Sequence, residues 1–197
     1  MKKRSKLLKF AKRLLEAIKN RRLIIILCCL VIVVVLMMIL MLKQRDIGAR
    51  EAGAQIAQLA DAVRSKYKTQ PDYWGLDTGL IIKDKIYPEG MSVNGGKLLG
   101  YFNNPVEVGM DASGSQIMPT IKYFTITYRD LTKEQCIALT ADHFNQVFWL
   151  GVKSLAISNN NDVYTFDWNS KESLLPLPKK KSVNICRNGS NVSFTME

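Results

Sequence analysis

Twenty consecutive apolar residues, Leu23 to Leu42 (LIIILCCLVIVVVLMMILML), dominate the hydropathy pattern. At about 1.5 Å per residue the run matches the roughly 30 Å hydrocarbon core of a bilayer and predicts one transmembrane helix. The apolar region of a secretory signal is shorter, about 7–15 residues, and ends in small residues. Here the run is followed by Lys43-Gln44-Arg45-Asp46, which favours a retained anchor over a removed signal. Beyond it, Ile56, Leu59, Ala60, Val63 and Tyr67 recur at helical spacing, with Gln55, Gln58, Asp61, Arg64 and Lys68 opposite them. The pattern predicts one helix of about 45–60 residues, half in lipid and half forming the spine of a globular head. Gly48 and Gly53 bend or fray it without breaking it, and Thr69-Gln70-Pro71-Asp72 ends it.

Shorter elements follow. Residues 76–85 are compatible with a short helix closed by Tyr87-Pro88-Glu89-Gly90, and 93–114, rich in Gly and Asn, reads as loops with brief strands. Ile121 to Tyr128 is β-branched and aromatic throughout, predicting a strand that turns at Asp130-Leu131. Thr132-x-x-Gln135 matches a capping box opening a helix through about Gln146. Val163 to Trp168 reads as a strand. Pro176, Pro178 and Lys179-Lys180-Lys181 read as a solvated linker, and Val183 to Cys186 with Val192 to Phe194 as a hairpin around Asn188-Gly189. The expected fold class is α+β: a transmembrane and spine helix packed on an antiparallel sheet. It divides into a basic segment 1–22, a span 23–42, a spine 43–69 and a head 70–197.

The net charge of +11 would suggest nucleic acid, but its distribution does not. Ten of the 28 Lys and Arg and one of the 17 acids fall in 1–22, while 46–197 hold sixteen of each sign. The head carries no excess charge for phosphates, so no direct nucleic-acid partner is expected. By the positive-inside bias the N-terminus is cytoplasmic and the head lies beyond the membrane. In 2–15, apolar residues at 7, 8, 10, 11, 14 and 15 form a stripe on a basic background, suited to an anionic leaflet or to nothing beyond the topology signal. Cys28 and Cys29 lie within the apolar run. Cys136 and Cys186 are the two cysteines of the head, and in an oxidising compartment they read as one disulfide. Closing a loop of about fifty residues, it stabilises by roughly 4 kcal/mol on the chain-entropy model.

With these elements in order, the chain resembles the type IVb pilins, which include toxin-coregulated and thin conjugative pilins. The likeness covers about 47–197 and rests on three stretches. The first is Phe124-Thr125-Ile126-Thr127-Tyr128-Arg129-Asp130-Leu131-Thr132-Lys133-Glu134-Gln135-Cys136, and the second is Val183-Asn184-Ile185-Cys186-Arg187-Asn188-Gly189. The third pairs Gly79-Leu80-Ile81-Ile82 with Asn103-Asn104-Pro105. The resemblance implies a structural subunit of a pilus or of a related conjugation or secretion machine, with adhesion or DNA transfer as roles of the fibre. It implies membrane lipid, other pilin-like subunits or assembly proteins, and further copies of the chain as partners. It places the chain in a bacterial inner membrane, head in the periplasm or at the surface. The anchor departs from the family pattern, in which cleavage after a small residue leaves a Glu five positions into an apolar mature end. The nearest equivalent is Ala11 followed by Lys12-Arg13-Leu14-Leu15-Glu16, and Lys19, Arg21 and Arg22 separate Glu16 from the apolar run. An unprocessed subunit held in the inner membrane is therefore expected.

Enzyme chemistry is weakly marked. Gly90 to Lys97 has the wrong spacing for a phosphate loop, with Leu98 where Ser or Thr would bind magnesium. Asp142 and His143 are adjacent on a predicted helix and so point apart. No pair marks a Ser–Lys dyad, and one His without a Cys-x-x-Cys offers no metal or cofactor site. Tyr73, Trp74, Phe148, Trp149 and Trp168 are expected chiefly in the core. A structural subunit is the leading reading, a non-assembling periplasmic scaffold the second and a membrane-tethered hydrolase the last.

Overall fold

A seven-stranded sheet, antiparallel at every pairing, organises the head in the order β1-β2-β3-β4-β7-β5-β6. The computed structural model describes residues 21–111, 122–141, 151–159, 162–167 and 175–197; for 21–24 and 40–47 only the backbone is described. The elements are α1 (Arg21–Tyr67), α2 (Thr78–Lys83), β1 (Ser92–Asn94), β2 (Lys97–Leu99), β3 (Pro105–Met110), β4 (Phe124–Leu131), α3 (Lys133–Thr140), β5 (Val152–Asn159), β6 (Asp162–Asp167), α4 (Lys179–Ile185) and β7 (Ser190–Met196). The chain forms two compact units, Met1–Gln44 and Arg45–Glu197.

In the first unit, the described side chains of α1 run from Ile25 to Ile39, all apolar and all exposed, Cys28 and Cys29 among them. Among the described residues no helix is long and apolar enough to cross a membrane. The described stretch, 25–39, is shorter than the roughly 20 residues a span requires. The expected span is therefore not carried by described residues, and the side chains of its limits, Leu23 and Leu42, lie outside them. Ala11, Glu16 and the whole basic segment to Asn20 lie outside as well.

In the second unit, alternate residues of the long strands face one core. Val106 and Val108 of β3, Phe124, Ile126 and Tyr128 of β4, and Val192, Phe194 and Met196 of β7 are all buried, as the period of two requires. They share one cluster with Ala52, Ile56, Leu59, Ala60, Val63 and Tyr67 of α1. The β1–β2 hairpin closes through Gly95 and Gly96, both at positive φ (56° and 75°), the conformation a two-residue hairpin of right-handed twist demands.

Three local expectations change. Asp130-Leu131 is not a turn but an irregularity inside the β4–β7 ladder, with Asp130 at φ 53°. Asn191 Oδ1 accepts from the Asp130 N–H (3.1 Å) and Asn104 Nδ2 donates to its carbonyl (2.7 Å), so the extra residue leaves no backbone group unpaired. Pro178 and the lysines are not a linker: they start α4, whose first turn closes onto the Pro178 carbonyl. A proline loses nothing there, because a helix's first N–H groups have no intrahelical acceptor. Nor is 183–186 a strand, since Ser182, Ile185 and Cys186 are buried and Val183 is exposed, a helical spacing. The predicted helix to Gln146 is helical through Thr140 as α3, and 142–146 lie outside the described residues.

Candidate functional site: the helix face and the C-terminal clamp

The candidate site is a packing and cross-linking device built from α1, α3, α4 and β7. Ile56, Leu59, Val63 and Tyr67 are buried along one face of α1. The opposite face exposes Arg50, Glu51, Ala54, Gln58, Asp61, Ser65 and Lys68. Beside that face an open groove of about 650 Å³ runs between α1 and residues 84–88, with Gln58, Ala62 and Ser65 on one wall and Ile86 and Tyr87 on the other. Lys66 and Asp84 form an ion pair across it.

Arg64, which its spacing puts on the polar side of α1, is a junction instead. Its Nε donates to the Glu197 carbonyl (2.6 Å) and its Nη1 to Asp61 Oδ1 (3.1 Å), while the guanidinium sits 5.9 Å from the Phe124 ring centroid. A Cβ at Gly151 would stand 2.6 Å from Arg64 Nη2, so the guanidinium would have to shift to admit a side chain there. Lys153 pairs with the Glu197 carboxylate at 2.6 Å. That hydrogen bond holds the Glu197 carboxyl below its ordinary value and raises Lys153 above its own. Tyr73 lies in a ring series, 5.4 Å from Tyr67 and 4.8 Å from Phe124. Its neighbour Trp74 is 67% exposed, contrary to a core role, because the turn at 72–75 holds the Trp74 N–H on Asp72 Oδ1 and places Gly75 at φ 78°. Phe148, Trp149, Trp168, Asp142 and His143 lie outside the described residues.

The clamp is the disulfide Cys136–Cys186, which joins α3 to the residue after α4 with Cα atoms 5.8 Å apart. Both cysteines are fully buried. The capping box forms in full: Thr132 Oγ1 accepts from Gln135 N (3.3 Å) and Gln135 Oε1 from Thr132 N (2.9 Å). It directs α3 so that Cys136, Leu139 and Thr140 face inward. Thr140 Oγ1 donates to the Cys136 carbonyl (2.8 Å) and lies 3.8 Å from Cys186 Sγ. On the other side Ser190 Oγ accepts from Arg187 N (2.9 Å) and lies 2.7 Å from the Arg187 carbonyl and against Asn159 Oδ1. Asn159 Nδ2 donates to the Ile185 carbonyl (2.9 Å), tying β5 to α4. Sequence reasoning reached the two sulfurs but not Arg64, Asn159 or Ser190, whose roles depend on partners 26 to 133 residues away.

Tyr128 adds a constraint within the sheet. Its hydroxyl is buried and has no hydrogen-bond partner among the described residues, and burial alone drives its pKa far above the usual phenol range, so the ring stays neutral. A Cβ on Gly100 would meet this hydroxyl at 2.6 Å. Among the described residues no group of three His, Cys, Asp or Glu converges to hold a metal ion.

The described features are ones of packing and cross-linking. Among solved structures, the crystal structure of the type IV b pilin from Salmonella typhi aligns at 15% identity, over 73% of this chain and 95% of that one, with a TM-score of 0.49. No curated protein matches the chain. The family model "PilS N terminal" matches residues 48–196, nearly the whole second unit. On that match the chain belongs to the PilS N-terminal family.

Proposed function

We propose that this chain is a subunit of a type IVb pilus, or of a related conjugation or secretion apparatus, held in a bacterial inner membrane with its head outside the cytosol. The observation that carries this reading is the state of residues 25–39 of α1: every side chain is apolar and every one is exposed, on all sides of the helix. A helix apolar all round needs an apolar surrounding, and a bilayer supplies it. The flanking residues extend the apolar run to Leu23 and Leu42, twenty in all, enough to span with some tilt. The disulfide supports an oxidising compartment for the head. In an assembled fibre, the exposed face of α1 in the head and the adjoining groove would lie against neighbouring copies or assembly proteins.

A second reading, an unprocessed subunit that scaffolds envelope proteins without assembling, is favoured by one feature. Lys19, Arg21 and Arg22 stand between Glu16 and the apolar run, so cleavage after Ala11 would leave a basic rather than an apolar mature end. Fractionation of the native cell separates the two. Recovery in filaments sheared from the surface, with an N-terminus at Lys12, supports the assembled subunit. Recovery only with inner membrane, starting at Met1, supports the scaffold, and recovery as a freely soluble protein contradicts both.

A further inference from the structure

We propose that the basic segment before the apolar stretch binds the headgroups of anionic lipids, so that the anchor selects a charged membrane surface as well as hydrocarbon. This rests on the anchoring described above. Charge in this molecule is segregated: residues 1–22 hold ten Lys and Arg against a single Glu, whereas 46–197 balance sixteen against sixteen. Lys and Arg next to a lipid-seeking segment are attracted by the negative potential of an anionic leaflet, an attraction confined to about a Debye length. The segment is also patterned. Leu7, Leu8, Phe10, Ala11, Leu14 and Leu15 recur at helical spacing among Lys6, Lys9, Lys12 and Arg13, a composition that seats at the boundary of headgroup and acyl chain. The residues that follow in the chain, 25–39 of α1, are apolar and exposed throughout, so the basic cluster adjoins in sequence a stretch that itself favours lipid. Nucleic acid also attracts cations, but a phosphate backbone gives the interleaved leucines nothing to contact, and the head adds no net positive charge. A pure topology signal, by contrast, requires a charge bias but no lipid preference.

The test uses the full chain in vesicles of phosphatidylcholine containing a minor fraction of phosphatidylglycerol. Spin-labelled phosphatidylglycerol is compared with spin-labelled phosphatidylcholine at the protein boundary. The anionic lipid should be preferred by roughly fivefold or more, a preference that high salt removes. In a variant carrying Lys2→Gln, Lys3→Gln, Arg4→Gln, Lys6→Gln, Lys9→Gln, Lys12→Gln and Arg13→Gln the preference should fall sharply, with Lys19, Arg21 and Arg22 left to sustain a remainder, while resistance to alkaline washing persists. Equal association of the two lipids with the parent chain, or an undiminished preference in the variant, overturns the proposal. So does a short DNA duplex that binds the parent chain and abolishes the preference at the same salt. Should the parent wash out of every vesicle, the anchor reading fails by itself. Flotation then decides the matter: salt-sensitive flotation with phosphatidylglycerol vesicles sustains headgroup binding, and flotation with neither vesicle type refutes it.

Discussion

Tyr128 and Gly100 constrain each other closely, and each makes a prediction. The ring fills the space a side chain at 100 would need, at a distance no real Cβ tolerates. Gly100→Ala must displace a fully buried aromatic and is expected to cost about 1–3 kcal/mol, read as a lowered denaturation midpoint. Tyr128→Phe removes a hydroxyl that is buried without a partner among the described residues, so it should leave stability unchanged or raise it by up to about 1 kcal/mol. A loss of more than that on Tyr128→Phe would show that the hydroxyl is bonded after all. Ser190→Ala acts the other way: it strips a buried hydroxyl from Arg187 N and Asn159, and a loss of about 1–3 kcal/mol is expected in the same measurement. The Glu197 carboxyl is held below its ordinary value by Lys153, so the contribution of this pair is present above the ordinary carboxylate range. It fades as pH falls through the lowered value, and the pair is exposed, so the effect is small. Lys153→Gln should remove that acid-side dependence and little else.

Among elements, legibility followed the range of the forces involved. The capping box at Thr132 and Gln135 was readable because both bonds span three residues and need only side chains in the same turn. Thr132→Ala should cost about 1 kcal/mol through loss of that cap. Helix α4 was not readable, since two prolines and three lysines carry the composition of a linker. What makes it helical is tertiary: Ser182 and Ile185 are buried beside the disulfide, and Leu177 N donates to the Thr140 carbonyl at 3.2 Å. The irregularity at Asp130 was missed for the same reason, because its stabilising groups, Asn104 and Asn191, come from other elements. Strand β4 shows the intermediate case. Its β-branched and aromatic run predicted a strand over 121–128, but the ladder with β7 extends it to Leu131. The disulfide needed no geometry to be anticipated, only two head cysteines and a compartment. Cys186→Ser should lower stability by roughly 4 kcal/mol, and reduction of the parent protein should reproduce the loss.

For the whole molecule, the two units demand different surroundings. The second has a closed core, a disulfide and balanced charge, and so the means to fold in water. The first presents fifteen consecutive apolar residues, all exposed, a surface that water does not tolerate on an isolated protein. Family membership accounts for the head and not for that surface, since the match begins at residue 48. Deleting 23–42 should therefore release a soluble head that keeps its fold and its disulfide, observable as unchanged thermal unfolding of the 45–197 portion. The most direct measurement is protease digestion of native cells before and after the outer envelope is opened, with detection of both chain ends. The account predicts that in spheroplasts the head is cut away while a membrane-bound fragment holding residues 1–42 survives. A head that resists until the inner membrane itself is lysed, or a chain that leaves with the soluble fraction, contradicts it.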